Sequence, residues 1–157
     1  MKWPILFAAL LVAAPAMAQT KVDGTVGNWR ISGEKGDCLV FLGTPQGMVM
    51  VASPASGGEN HGGVMFAKPG LTDDPAQETS ILLIGTGDFT GPFPTRPMED
   101  TDPAIYWRAF PSDTTIDAFP DSWRVRMSRG GSTLAEVTVT GFTQARAALR
   151  QCVEKTR

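Results

Sequence analysis

The sequence predicts a mostly β domain of α+β type: an antiparallel sheet or sandwich with a C-terminal helix packed on it, closed by one disulfide. Three observations lead there. Short apolar segments rich in β-branched and aromatic residues alternate with Gly- and Pro-rich turns along most of the chain. The last stretch changes to helical periodicity, with Phe142, Ala145, Leu149, Cys152 and Val153 falling on one helical face. Cys38 and Cys152, the only cysteines, lie one in an apolar strand segment and one on that helical face.

The first eighteen residues precede this domain. Lys2 gives a positive start, Ile5 to Ala14 an apolar run, and Ala16-Met17-Ala18 a small-x-small cleavage pattern with Gln19 as the new N-terminus. This predicts a secretory signal peptide, residues 1–18, and a single domain over residues 19–157. The apolar run is about half the roughly 20 residues that a membrane-spanning helix needs, so no stable membrane insertion is expected after cleavage.

The elements follow in order. Thr25 to Ser32, with Trp29 and Ile31 two apart, reads as a strand. Cys38–Leu42 and Met48–Ala52 are apolar at nearly every position, which predicts central strands buried on both sides, joined through the turn-rich Gly43–Gly47. Val64–Ala67, Ser80–Ile84 and Ile105–Phe110 are shorter strand candidates, and Gly85–Pro103, with four prolines, reads as a long surface loop.

In Trp123–Met127 the apolar residues alternate with Arg124 and Arg126, and Leu134–Val139 returns after two glycines. A three-residue loop, Gly130 to Ser132, pairs Trp123 with Val139, Val125 with Val137 and Met127 with Ala135. It also sets Arg126 across from Glu136. A two-residue Gly-Gly loop would bring Val125 opposite Glu136 and mix the faces, so the first register is expected. The helix is expected over Phe142–Lys155, with Thr140 as N-cap.

Cys152 thus points inward, toward the sheet that carries Cys38. A Cys38–Cys152 disulfide is expected in an oxidising compartment. Closing nearly the whole domain into one loop is worth about 4–5 kcal/mol in the chain-entropy model.

Charge is unevenly spread. Residues 19–123 carry 6 basic and 14 acidic side chains, residues 124–157 carry 7 and 2. An acidic protein of this kind does not suggest nucleic acid as a partner. Its basic end is read in two ways: as packing on the acidic body and neutralising it, or as a basic face that meets a partner. Arg124 and Arg126 share a strand face, Arg146 and Arg150 lie one helical turn apart, and only Arg126 has an acidic partner legible in the sequence. These four arginines are the candidate partner-binding residues, because a guanidinium fork donates two parallel hydrogen bonds to carboxylates and phosphates.

Nothing else carries chemistry. The Gly-rich loop Ala55–Gly63 holds the single His61 and Glu59, without a following helix, a lysine or further metal ligands. The acidic run from Glu99 to Asp102 lacks the spacing of a calcium loop. No serine sits in a G-x-S-x-G elbow. No catalytic residue, metal site or cofactor is expected.

Two end motifs carry a resemblance. Val26–Ile31 (VGNWRI) followed by Cys38–Phe41 (CLVF) resembles the G-x-W…C-x-hydrophobic opening of invasion-associated locus B proteins. Val137–Leu149 is similar to that family's closing strand, Gly-Phe corner and short helix. These are small exported β-rich proteins of alphaproteobacteria. The resemblance implies a cell-envelope role that extends to contact with a host, and no reaction. Small periplasmic β-barrel inhibitors of secreted metalloproteases also open with G-x-W and a Cys, though their bridge is usually short. The expectation is a non-enzymatic protein, periplasmic or secreted, that binds an envelope or extracellular protein. The alternatives are a small periplasmic protease inhibitor or an unrecognised small enzyme.

Overall fold

The computed structural model describes residues 21–53, 62–87, 91, 93–97, 105–109 and 116–156. Residues 1–18, expected to be a signal peptide, the loop positions Glu59 and His61, and the acidic run 99–102 lie outside the described residues.

Five strands follow one another as an antiparallel meander: β1 (Val22–Val26), β2 (Trp29–Glu34), β3 (Asp37–Thr44), β4 (Gly47–Ala52) and β5 (Gly63–Ala67). The stretch expected as one strand over Thr25–Ser32 is therefore two. Gly27, at φ 56, and Asn28 turn the chain between Val26 and Trp29, which face each other across a two-residue hairpin. A second group follows: β6 (Thr79–Ile84), β7 (Phe93–Pro94), β8 (Arg96–Pro97), β9 (Ile105–Ala109), β10 (Trp123–Arg129) and β11 (Ser132–Val139), and then the helix α1 (Phe142–Thr156). The strands form a seven-stranded sheet, β1-β2-β3-β4-β5-β9-β8, and a four-stranded sheet, β11-β10-β6-β7.

The proline-rich stretch expected as a loop thus contains β7 and β8. Proline lacks an N–H for a ladder, which confines pairing to two residues each at a sheet edge. β7 ends one sheet and β8 ends the other, so the chain crosses from sheet to sheet between them. Thr95 fixes the crossing, its amide and hydroxyl both donating to the Thr79 carbonyl at 3.0 and 2.8 Å.

The terminal hairpin has the expected pairs, Trp123 with Val139, Val125 with Val137, Arg126 with Glu136 and Met127 with Ala135. It reaches them differently. Gly130 (φ 54) and Gly131 (φ 82) make a two-residue turn, so Arg129 faces Ser132 and Ser128 faces Thr133. A bulge then leaves Leu134 unpaired and shifts the register by one. The bulge restores apolar residues to one face, which a bare Gly-Gly turn would have split. The Leu134 carbonyl at the bulge accepts from Lys68 Nζ at 3.0 Å.

One core serves all layers. Trp29, Ile31, Cys38, Val40, Leu42, Val49, Val51, Val64, Phe66 and Tyr106 line one face of the seven-stranded sheet. The apolar stripe of α1 packs on the β1–β3 end of that face, and the four-stranded sheet supplies Ile81, Leu83, Val125, Met127, Val137 and Val139. Phe119, Trp123, Trp29 and Phe142 meet where helix and sheets join, ring centroids 5.5–6.1 Å apart.

Cys38 and Cys152 form the disulfide, with Cα atoms 6.1 Å apart and both residues buried. It links strand β3 to the penultimate turn of α1. Such a bridge suits an oxidising compartment and points to a non-cytoplasmic protein. Thr156 Oγ1 seals the junction, accepting from the Gly36 amide at 3.0 Å and donating to the Cys152 carbonyl at 2.9 Å.

The helix start corrects the expected cap. Thr140 does not cap it; the Thr140 carbonyl accepts from Trp29 Nε1 at 2.8 Å. Asp121, in the loop before β10, supplies the cap instead. Its carboxylate accepts from the amides of Thr143 (2.9 Å) and Gly141 (3.3 Å). A cap delivered from twenty residues away has no sequence signature.

Candidate functional site

Strand alternation puts Trp123, Val125 and Met127 in the core and Arg124 and Arg126 on the outer face of the four-stranded sheet. Cross-strand pairing then brings Glu136 of β11 to both. Arg124 Nη1 donates to one carboxylate oxygen at 2.8 Å and Arg126 Nε to the other at 2.6 Å. The hydrogen bond from Arg126, with that from Arg124, holds the Glu136 carboxyl below its ordinary pKa. On the other side, β6 places Leu82 opposite Arg126 and Ile84 opposite Arg124, both half-buried. Among the described residues, the face therefore carries two guanidiniums and one carboxylate, with two aliphatic side chains beside them.

The helix arginines are placed elsewhere. A short 3-10 helix, Ile116–Ala118, lies beside α1. Arg146 Nη1 donates to the carbonyls of Ile116, Asp117 and Phe119 at 2.8–3.1 Å, and Arg150 pairs with the Asp117 carboxylate. The sequence offers no partner for Arg124, Arg146 or Arg150, and the fold supplies one for each. The physical reason is distance along the chain: Asp117 is 33 residues from Arg150, and Glu136 is diagonal to Arg124 rather than opposite it. The four arginines form a strand pair and a helix pair, each with its own partners.

Two features had no reading in the sequence. The first is a polar seam between the sheets. Arg129 donates to Thr79 Oγ1 (3.0 Å), the Thr72 carbonyl (3.1 Å) and the Tyr106 hydroxyl (2.5 Å), and Tyr106 donates to Asp73 at 2.6 Å. Burial, and then the bond to Asp73, push the Tyr106 pKa up. Arg129 also lies over the Tyr106 ring at 5.6 Å.

The second is the outer face of the seven-stranded sheet. Arg30, Phe41, Met50 and Met65 lie in one cross-strand row there, with Leu39, Ala52 and Met48 beside them. Met50 is buried; Leu39, Phe41, Met48 and Met65 are half-buried. The apolar runs of β3 and β4 predicted strands covered on both sides. They are central in their sheet, yet the described elements packed on that sheet, α1 and the second sheet, join the opposite face. Strand composition alone does not say which elements lie over the second face.

Among the described residues, no group of three or more His, Cys, Asp or Glu is placed to hold a metal ion, and no helix is long and apolar enough to cross a membrane. Comparison with protein-family models, with curated proteins and with solved structures finds no match to this chain.

Proposed function

We propose that this chain is a non-enzymatic exported protein of the cell envelope, periplasmic or secreted, which works by binding another protein, in the manner implied by its resemblance to invasion-associated locus B proteins. The buried Cys38–Cys152 bridge supports export, because its stabilisation requires an oxidising compartment. The signal-like segment 1–18 supports the same reading.

The observation that carries the binding part is the sharing of Glu136 by Arg124 and Arg126. Among the described residues, two cations on one carboxylate leave a surplus positive charge on this sheet face of an otherwise acidic protein. Arg146 and Arg150 contribute less to such a surface, because their donors are directed to the 3-10 helix.

Export is tested by fractionation and intact mass: the product is expected outside the cytoplasm, beginning at Gln19. Binding is tested by crosslinking the exported protein in envelope extract and reconstituting the captured complex from purified components, with saturable, salt-sensitive binding expected. A full-length cytoplasmic product, or no partner that survives reconstitution, overturns the proposal.

A further inference from the structure

We infer that the outer face of the four-stranded sheet, centred on Arg124 and Arg126, is a docking surface for an acidic, aliphatic segment of a partner protein. This rests on the partner-binding reading above and deepens it by naming the chemistry that is bound.

Charge comes first. Glu136 accepts one hydrogen bond from each arginine, through Arg124 Nη1 and Arg126 Nε. A guanidinium carries five N–H donors in a planar fork. Among the described residues no acceptor takes the Nε/Nη2 edge of Arg124 or the Nη1/Nη2 edge of Arg126, and each edge suits a carboxylate held by two parallel bonds. The side chains of Arg124 and Arg126 are 47% and 36% exposed, so both reach solvent from a fixed strand. Glu136 already shows which group the pair accepts.

The apolar part comes from the register. Leu82 lies opposite Arg126 and Ile84 opposite Arg124 on the adjacent strand, half-buried on the same face. A segment laid across β6 and β10 meets an aliphatic side chain and then a guanidinium at each step. Alternating aliphatic and acidic residues complement that surface. The hydroxyl-bearing Ser80, Ser128 and Thr138 continue the face without adding charge.

The size of the charge selects among ligands. An anionic membrane attracts each basic residue only weakly, and recognition of lipid headgroups uses clusters of several lysines and arginines. Nucleic acid binding depends on many phosphate contacts. The one surplus cation that the described residues place beside Leu82 and Ile84 suits neither and suits a carboxylate on a protein.

The test uses a fluorescein-labelled peptide of alternating Glu and Leu, read by anisotropy against the exported protein, with Lys-Leu and Gln-Leu peptides and phosphatidylglycerol vesicles as comparisons. The Glu-Leu peptide is expected to bind, and added salt to weaken it. R124Q and R126Q are each expected to weaken it about tenfold, the effect of one lost charge-assisted contact. E136Q is expected to strengthen it several-fold, since both arginines lose their internal carboxylate. R124Q leaves the Arg126–Glu136 pair in place, and an unchanged melting midpoint verifies its fold. The inference is overturned if wild-type protein does not bind the peptide, if the three substitutions leave its affinity unchanged, if the Lys-Leu peptide binds equally, or if only the vesicles bind. An envelope partner still captured by the R124Q/R126Q double variant overturns this surface while leaving the binding role standing; loss of capture by the wild type as well removes both.

Discussion

Trp29 and Thr140 lie 111 positions apart in sequence and are joined by a 2.8 Å hydrogen bond from the indole Nε1 to the backbone carbonyl. The bond ties β2, at the start of the domain, to the residue that leads into α1. Trp29 is buried against Phe142, so the same side chain fixes the helix by packing and by a polar contact. Trp29→Phe removes the donor and leaves a partial cavity. It is expected to lower unfolding stability by about 1–3 kcal/mol, measured by denaturant titration, with the disulfide intact in a non-reducing peptide map.

The disulfide is expected to be the largest single contribution. Cys38→Ser/Cys152→Ser removes a cross-link across 114 positions, and the melting midpoint should fall by several degrees or more; the entropy model gives an upper figure of about 4–5 kcal/mol. A milder test is Gly33→Ala. A Cβ on Gly33 would run into both sulfurs and the Asp37 carbonyl, so this change is expected to destabilise by about 1–3 kcal/mol through overpacking. A neutral Gly33→Ala, by calorimetry, would contradict the packing described around the bridge.

Asp121 predicts a pH dependence. Hydrogen bonds from the Thr143 amide and hydroxyl, and from the Gly141 amide, hold its carboxyl below the ordinary value. A carboxyl whose folded pKa is depressed contributes stability that is present above its unfolded pKa, near 3.9, and is lost as pH falls through the folded value. Asp121→Asn keeps an acceptor and removes the charge. The melting midpoint of the wild type should exceed that of Asp121→Asn at pH 5 to 7, and the difference should shrink as pH drops below about 4.

Tyr106→Phe probes the seam between the sheets. The hydroxyl accepts from Arg129 and donates to Asp73, so its loss leaves a guanidinium and a carboxylate each without one partner. A loss of roughly 1–3 kcal/mol is expected. Hydrogen exchange should quicken at β9 and β10, the strands the bond connects, more than in the β1–β3 meander.

What the sequence determined by itself is what repeats at short range. Alternation along Trp123–Met127 and Leu134–Val139 selected the hairpin register, because a slip of one residue would turn every apolar side chain to water. The stripe from Phe142 to Val153 located the helix and its buried face. Cys38 in an apolar strand and Cys152 on that stripe indicated the bridge. Gly27-Asn28 is a dipeptide of turn type inside the stretch expected as one strand, and its pairing into a hairpin appears only in the fold.

Only the tertiary structure decided the rest, because it depends on groups brought together from distant positions. Leu134 bulges so that two local rules, a Gly-Gly turn and a one-sided apolar face, hold together. Asp121 reaches the helix start because the chain enters β10 beside it. The arginines acquired partners from a diagonal strand position and from a 3-10 helix, and so divided into two groups. The outer face of the central strands carries Phe41, Met48, Met50 and Met65, and composition alone does not record which layers a fold lays on a sheet.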